Sequence, residues 1–205
     1  MQSLLDRPVS ITLVLIASCV AISLAGFYAL SRPNYRPYFV FVPSRPGFAG
    51  TVLSHFAHGD LGHLFVNMLA LFFFGPKVEQ ALGPAYYLGL YAASGAAATF
   101  TVYLLRRKNP RYSALGASGC IAGVMLATVV IDPTADVFLF FLPIMVPAPL
   151  FAVLYLVLSS IRMGGRDGVA HEAHLGGAIA GLALSGLLYE RHFDPLVHAV
   201  TDLVR

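Results

Sequence analysis

Charge is what this chain has least of. Asp, Glu, Lys and Arg make up 11% of its 205 residues, where soluble domains carry roughly 25%. With 58% hydrophobic residues beside that deficit, the chain reads as a membrane protein before any motif is considered. The net charge of +3 is small and resides in short loops, with no basic stripe interleaved with aromatics, so nucleic-acid binding is not expected. Tryptophan is absent and there are two cysteines. Both, Cys19 and Cys120, lie in apolar segments outside any CxxC or Cys/His zinc spacing. They read as small core residues, and neither a disulfide framework nor a metal site is expected. Only Arg7 precedes the first apolar run, and no convincing small-residue cleavage site follows it. That run reads as a retained helix.

What the chain does have is long charge-poor runs. Six are legible, over about 9–30, 61–82, 84–105, 116–131, 137–161 and 172–190. Most approach the roughly 20 residues that cross a bilayer. They are continuous rather than alternating, so helices are expected and not barrel strands. The expected fold is an all-α membrane protein, a six-helix bundle forming one domain over 1–205. The connections hold the breaking and basic residues: a long aromatic-rich loop over 32–60, a basic turn over 106–111, Asp132-Pro133, and a glycine-rich turn over 164–168. The segment 32–60 is too apolar for a solvated linker and is expected to lie partly in the interface. No internal repeat is visible, which disfavours a small transporter or channel.

The fourth run is short. From Gly116 to Ile131 a helix rises about 24 Å, so its start is expected below the membrane surface, reached by a loop that dips inward. Irregular backbone at that depth requires protein cover or a water-filled cavity. Gly119 and Gly123 are four apart on this run, and Gly177 and Gly181 four apart on the last. Such spacing allows two helices to approach closely. If the two faces meet, Ser118 and His174 come to the same depth.

Those two residues are the parts of a nucleophile–base pair. Serine reacts only when a base takes its proton, and histidine titrates near neutrality. An ionisable group at membrane depth suggests function by default. His171 shares a helical face with His174 and is expected to be structural. Glu172, two residues from His174, is expected to point elsewhere. No acid occurs within the apolar interiors of five of the six runs, so a Ser-His dyad is the economical reading. His63 and Asn67 share one face of the second run and could act as donors to a developing oxyanion. Ser118 N–H, at a helix start, would add another. His55 and His58 with His63 could suggest metal, but no acidic or cysteine ligand completes the set; no cofactor or metal is expected.

These residues together resemble the rhomboid family of intramembrane serine proteases. The matching segments are His58-Gly59-Asp60-Leu61-Gly62-His63-Leu64-Phe65-Val66-Asn67-Met68, Gly116-Ala117-Ser118-Gly119 and Ala173-His174-Leu175-Gly176-Gly177-Ala178-Ile179-Ala180-Gly181. HxxxN, GxSG and AHxxGxxxG, in this order on three separate apolar runs, form a specific pattern. The resemblance implies a six-transmembrane-helix rhomboid-like bundle with a short, buried-start fourth helix. It implies Ser118 as nucleophile, His174 as general base, and His63, Asn67 and the Gly116–Ser118 turn as oxyanion stabilisers. It also implies transmembrane segments of other proteins as substrates, with helix-weakening small residues near the cleavage site. A catalytically silent relative that binds membrane clients is the alternative, disfavoured by the presence of both Ser118 and His174. Two departures stand out. The family's Trp-Arg pair in the first long loop is missing, leaving Arg45 and Phe48 as candidate anchors. Where some members carry an aromatic residue four places after the serine, stacked on the histidine, this chain has Ala122.

The expected location is a multi-pass position in the cell membrane. Orientation is contested. The resemblance implies cytoplasmic termini and a serine opening to the outer face. Yet Arg32, Arg36, Arg45, Arg106, Arg107, Lys108, Arg111, Arg162 and Arg166 follow odd-numbered runs, against Arg7, Lys77, Arg191 and Arg205 on the other side. By the positive-inside rule that imbalance favours the reverse. Oligomeric state is not legible.

Overall fold

The computed structural model describes residues 10–139, 144–161 and 170–203. The glycine-rich turn over 164–168, and Arg7, Arg162, Arg166 and Arg205 of the charge count, lie outside the described residues. The chain is mostly helical. In order come α1 (Ile11–Leu30), a 3-10 turn (Arg36–Tyr38), α2 (Phe48–Leu53), α3 (Leu61–Leu82), α4 (Pro84–Arg106) and α5 (Ser118–Ile131). The strands β1 (Asp136–Leu139) and β2 (Ile144–Pro147), then α6 (Ala148–Ile161), α7 (His171–Leu188) and α8 (Asp194–Leu203) follow. Among the described residues, α1, α3 and α4 are long and apolar enough to cross a membrane.

Local chemistry explains several boundaries. The Asp60 carboxylate caps α3 by accepting from His63 N–H at 2.8 Å, satisfying one of the donors that a helix start leaves open. Gly83, at φ 77°, ends α3 in a conformation costly for other residues. Pro84 at once starts α4, where its missing N–H is no loss. Glu79 of α3 caps α1 from outside: its carboxylate accepts from Ile11 N–H at 2.6 Å and Thr12 N–H at 2.9 Å.

The run over 137–161, read from the sequence as one helix, is corrected by the structure. It opens as an antiparallel hairpin, with Val137 opposite Val146 and Phe138 opposite Met145, and turns helical only at Ala148. Pro147 explains the delay: it lacks an N–H and disfavours helical backbone at Val146, while Pro149 falls in the first turn of α6, where a missing N–H is no loss. The loop over 32–60 is held differently from expectation too. Phe48 is 87% exposed and does not pin the loop to the protein core. Instead Phe41, 4% exposed, exchanges two backbone hydrogen bonds with Ala114, and Arg36 donates to Ser113 Oγ at 3.0 Å.

α5 is the central post. Ala122, Val124, Leu126 and Ala127 on it are inaccessible to solvent, and it packs on α3, α4 and α7. The glycine faces of α5 and α7 do meet. A Cβ built at Gly177 would collide with the Gly119 carbonyl, and one at Gly181 with the Gly123 backbone. Only hydrogen in place of a side chain permits this approach.

Candidate active site

That backbone contact sets the side chains of Ser118 and His174 side by side. Ser118 is the first residue of α5 and His174 lies in the first turn of α7. Ser118 Oγ is 2.7 Å from His174 Nε2, within the reach that general-base catalysis needs.

The turn before Ser118 is built tightly. Gly116 has φ +125°, and a Cβ there would stand 2.6 Å from His63 Cε1 and 2.9 Å from His63 Nε2. The imidazole of His63 therefore lies against Gly116, beside Ser118, and both backbone angle and space demand glycine. Gly116 N–H donates to Ser54 O at 2.7 Å. Asn67 is buried one turn along α3, and its side-chain amide donates to His63 O at 2.9 Å. The structure thus gathers His63, Gly116, Ser118 and His174 at one point, with Asn67 directly behind His63. A cavity of about 30 Å³ opens among Gly116, Ser118, Gly119 and Ala173, room enough for a water.

Three contributors were not legible as such. His58 is fully buried. Its Nε2 accepts from Ala117 N–H at 3.4 Å, and its Nδ1 lies 2.9 Å from Ser23 Oγ and 3.2 Å from Phe56 O. It meets His63 edge-on, ring centroids 5.0 Å apart. Accepting at Nε2 requires the neutral ring with the proton on Nδ1. Burial, with His63 nearby, lowers its pKa to about 4, so it is neutral near pH 7. Tyr155 of α6 stacks on His174 at 6.4 Å between centroids and 30° between planes. It supplies the ring that Ala122 lacks, from another helix. Glu172, 1% exposed, pairs with Arg106 of α4, whose guanidinium also covers the Tyr112 ring at 5.2 Å. The pair ties the start of α7 to the end of α4 and turns Glu172 away from His174. His171 meets His174 edge-on at 5.8 Å. The histidines before α3 had raised the question of metal; among the described residues no three His, Cys, Asp or Glu side chains could hold an ion.

A hydroxyl at a helix start is thus touched by an imidazole from a neighbouring helix inside an apolar bundle. Comparison with known proteins gives the family. The Rhomboid domain model matches residues 46–191, and the chain belongs to the rhomboid family, whose members are in general intramembrane serine proteases. It is 31% identical over 87% of its length to RHOMBOID-like protein 12, mitochondrial, of Arabidopsis thaliana, covering 57% of that protein. It is 33% identical over 71% of its length to Presenilin-associated rhomboid-like protein A, mitochondrial, of Danio rerio, covering 40% of it. It is 32% identical over 63% of its length to Rhomboid protein 1, mitochondrial, of Saccharomyces cerevisiae, covering 38% of it. The chain thus spans about half the length of the curated relatives it matches. These relatives carry mitochondrial names, which overturns the expectation of the cell membrane. That expectation rested on generic family placement and not on any residue of this chain.

Proposed function

We propose that the chain is an intramembrane serine endopeptidase using a Ser118–His174 dyad. The observation that carries the reading is the 2.7 Å approach of Ser118 Oγ to His174 Nε2. Ser118 Oγ attacks a peptide carbonyl of the substrate while His174 Nε2 takes the hydroxyl proton. The carbonyl oxygen becomes an oxyanion. The His63 ring, the Asn67 amide and the Ser118 backbone N–H, seated beside Gly116, stabilise it with preset dipoles. His174 then returns the proton to the leaving amine. A water in the 30 Å³ cavity, deprotonated by the same ring, hydrolyses the acyl-enzyme and restores Ser118.

In this reading residues 1–205 form a single rhomboid-like membrane domain crossing six times. α5, α6 and α7 complete the set begun by α1, α3 and α4. The short α5 rises about 21 Å over its 14 residues, which favours a nucleophile set below the surface. Substrates are transmembrane segments of other membrane proteins, unwound near the interface because a helix hides its carbonyls. The names of the relatives favour a mitochondrial membrane as the site of action.

Labelling by a fluorophosphonate tests the reading. Purified wild type is expected to label, and Ser118→Ala and His174→Ala to lose the label. A folded wild type that resists this and a smaller serine-reactive probe would instead indicate a silent, client-binding relative. Labelling that survives Ser118→Ala would sink the site assignment.

A further inference from the structure

A cavity of about 600 Å³ lies beside α4 and takes no part in the chemistry above. Its long wall is a stripe of α4 that includes Leu88, Ala92, Ala96, Thr99 and Tyr103. α2, the turn after it, Leu15 of α1 and Cys120 of α5 complete the lining. From Leu88 to Tyr103 the stripe rises about 22 Å, so the space is long as well as large.

The wall offers little to hydrogen-bond. His55 Nε2 is 2.8 Å from Thr99 Oγ1, and His55 Nδ1 is 3.7 Å from Cys120 Sγ. Thr51 Oγ1 donates to Gly47 O at 2.8 Å. These polar groups are engaged within the protein. An extended peptide laid here would leave its own N–H and C=O groups without partners; a hydrocarbon chain would not. Two arginines neighbour lining residues. The exposed Arg107 guanidinium sits 5.8 Å from the ring of Tyr103. Exposed Arg45 immediately precedes Pro46, which lines the cavity.

We propose that this cavity holds one acyl chain of an anionic phospholipid, with the phosphate at Arg107 and Arg45. The apolar groove accounts for the chain and the two neighbouring arginines for the sign of the headgroup. Phe41, His55 and Thr99 line both this cavity and the small one at Ser118, so the lipid shares a wall with the candidate active site. The inference stands on the cavity and its charges and does not depend on proteolysis.

The test is lipid binding to the full chain in a nonionic detergent, read by native mass spectrometry. Dioleoyl phosphatidylglycerol is compared with dioleoyl phosphatidylcholine. Wild type is expected to prefer phosphatidylglycerol. Arg107→Gln and Arg45→Gln each weaken that binding about fivefold, as loss of one cation near a phosphate should. Ala92→Leu with Ala96→Leu, both at accessible positions of α4, weakens both lipids about tenfold by occupying the groove. Equal binding of the two lipids, or undiminished binding by the filled variant, overturns the proposal. A phosphatidylglycerol bearing a diazirine on one acyl chain gives a check on wild type alone, should a variant fail to fold. Crosslinks concentrated on 88–103 support the site; crosslinks spread evenly over the helices refute it.

Discussion

His58 can join α1, α3 and the Gly116–Ser118 turn only while its ring is neutral. Protonation would put a second N–H against the Ala117 N–H it now accepts from. Its pKa is about 4 in the fold and near 6.5 in an unfolded chain. The unfolded state therefore binds more protons between those values. The stabilisation from neutral His58 is present above about pH 6.5 and is lost as pH falls toward 4. Thermal unfolding in detergent followed from pH 7.5 to 4 is expected to show that decline. His58→Gln, which keeps an acceptor but cannot titrate, should lessen it, leaving the share of His55, whose pKa burial also lowers. Tyr155 acts at the same scale through a different force. If its ring steadies His174, Tyr155→Leu should lower kcat about three- to tenfold, the range of one aromatic contact, with KM little changed. Tyr155→Phe should restore the rate. A Phe variant as impaired as Leu would shift the role from ring to hydroxyl.

At the level of elements, the junction of α5 and α7 governs the site. A Cβ at Gly177 would enter the space of the Gly119 carbonyl, which is backbone and cannot swing aside. Gly177→Ala is therefore expected to force the helices apart and destabilise the protein by about 1–3 kcal/mol. Fluorophosphonate labelling should fall even where the variant remains folded, because one helix carries Ser118 and the other His174. Normal stability and labelling in this variant would mean that the junction gives more readily than its geometry suggests. The cap that Glu79 places on α1 is a second such joint, made by the side chain of one helix on the first turn of another.

At the scale of the whole molecule, two ion pairs among the described residues stand at opposite ends of the bundle and differ in kind. Lys77 and Asp132 meet at 2.5 Å with side chains 40% and 36% exposed, and the contact with Lys77 holds Asp132 below the usual carboxylate pKa. His63 precedes Lys77, and Ser118 precedes Asp132, by the same fourteen residues, about 21 Å of helix. α3 and α5 thus run parallel and in step, clasped at the end away from the serine. Such an exposed pair contributes little, and Lys77→Met should cost less than about 1 kcal/mol and leave Ser118 labelling unchanged. Arg106 and Glu172 behave oppositely. Glu172 is buried, and Arg106→Met strands its charge, a loss of about 3–5 kcal/mol with labelling reduced as the start of α7 loosens. Denaturation and labelling of the two variants side by side check both expectations.

Much of this molecule could be read from residue order alone. Helix runs declare themselves through hydropathy that persists for a span's length, which is why the bounds of α3, α4 and α5 lie within two residues of expectation. Ser118, His174, His63, Asn67 and Gly116 stood out as candidates because polar groups and glycines are conspicuous in apolar runs. Membership of the rhomboid family was legible in their order. Other features arise only when distant segments pack. The hairpin before α6 was hidden because Val, Phe, Ile and Met suit a strand and a membrane helix alike, and only the pairing of β1 with β2 distinguished them. Tyr155 carries no local mark, since which face of α6 meets His174 depends on how three helices dock. The same holds for the partners of His58, the turning of Glu172 toward Arg106, and the cavity along α4. Residue order sets the chemical type and spacing of side chains along one axis; distances between side chains on different axes are set by packing, and that packing brings Ser118 Oγ within 2.7 Å of His174 Nε2.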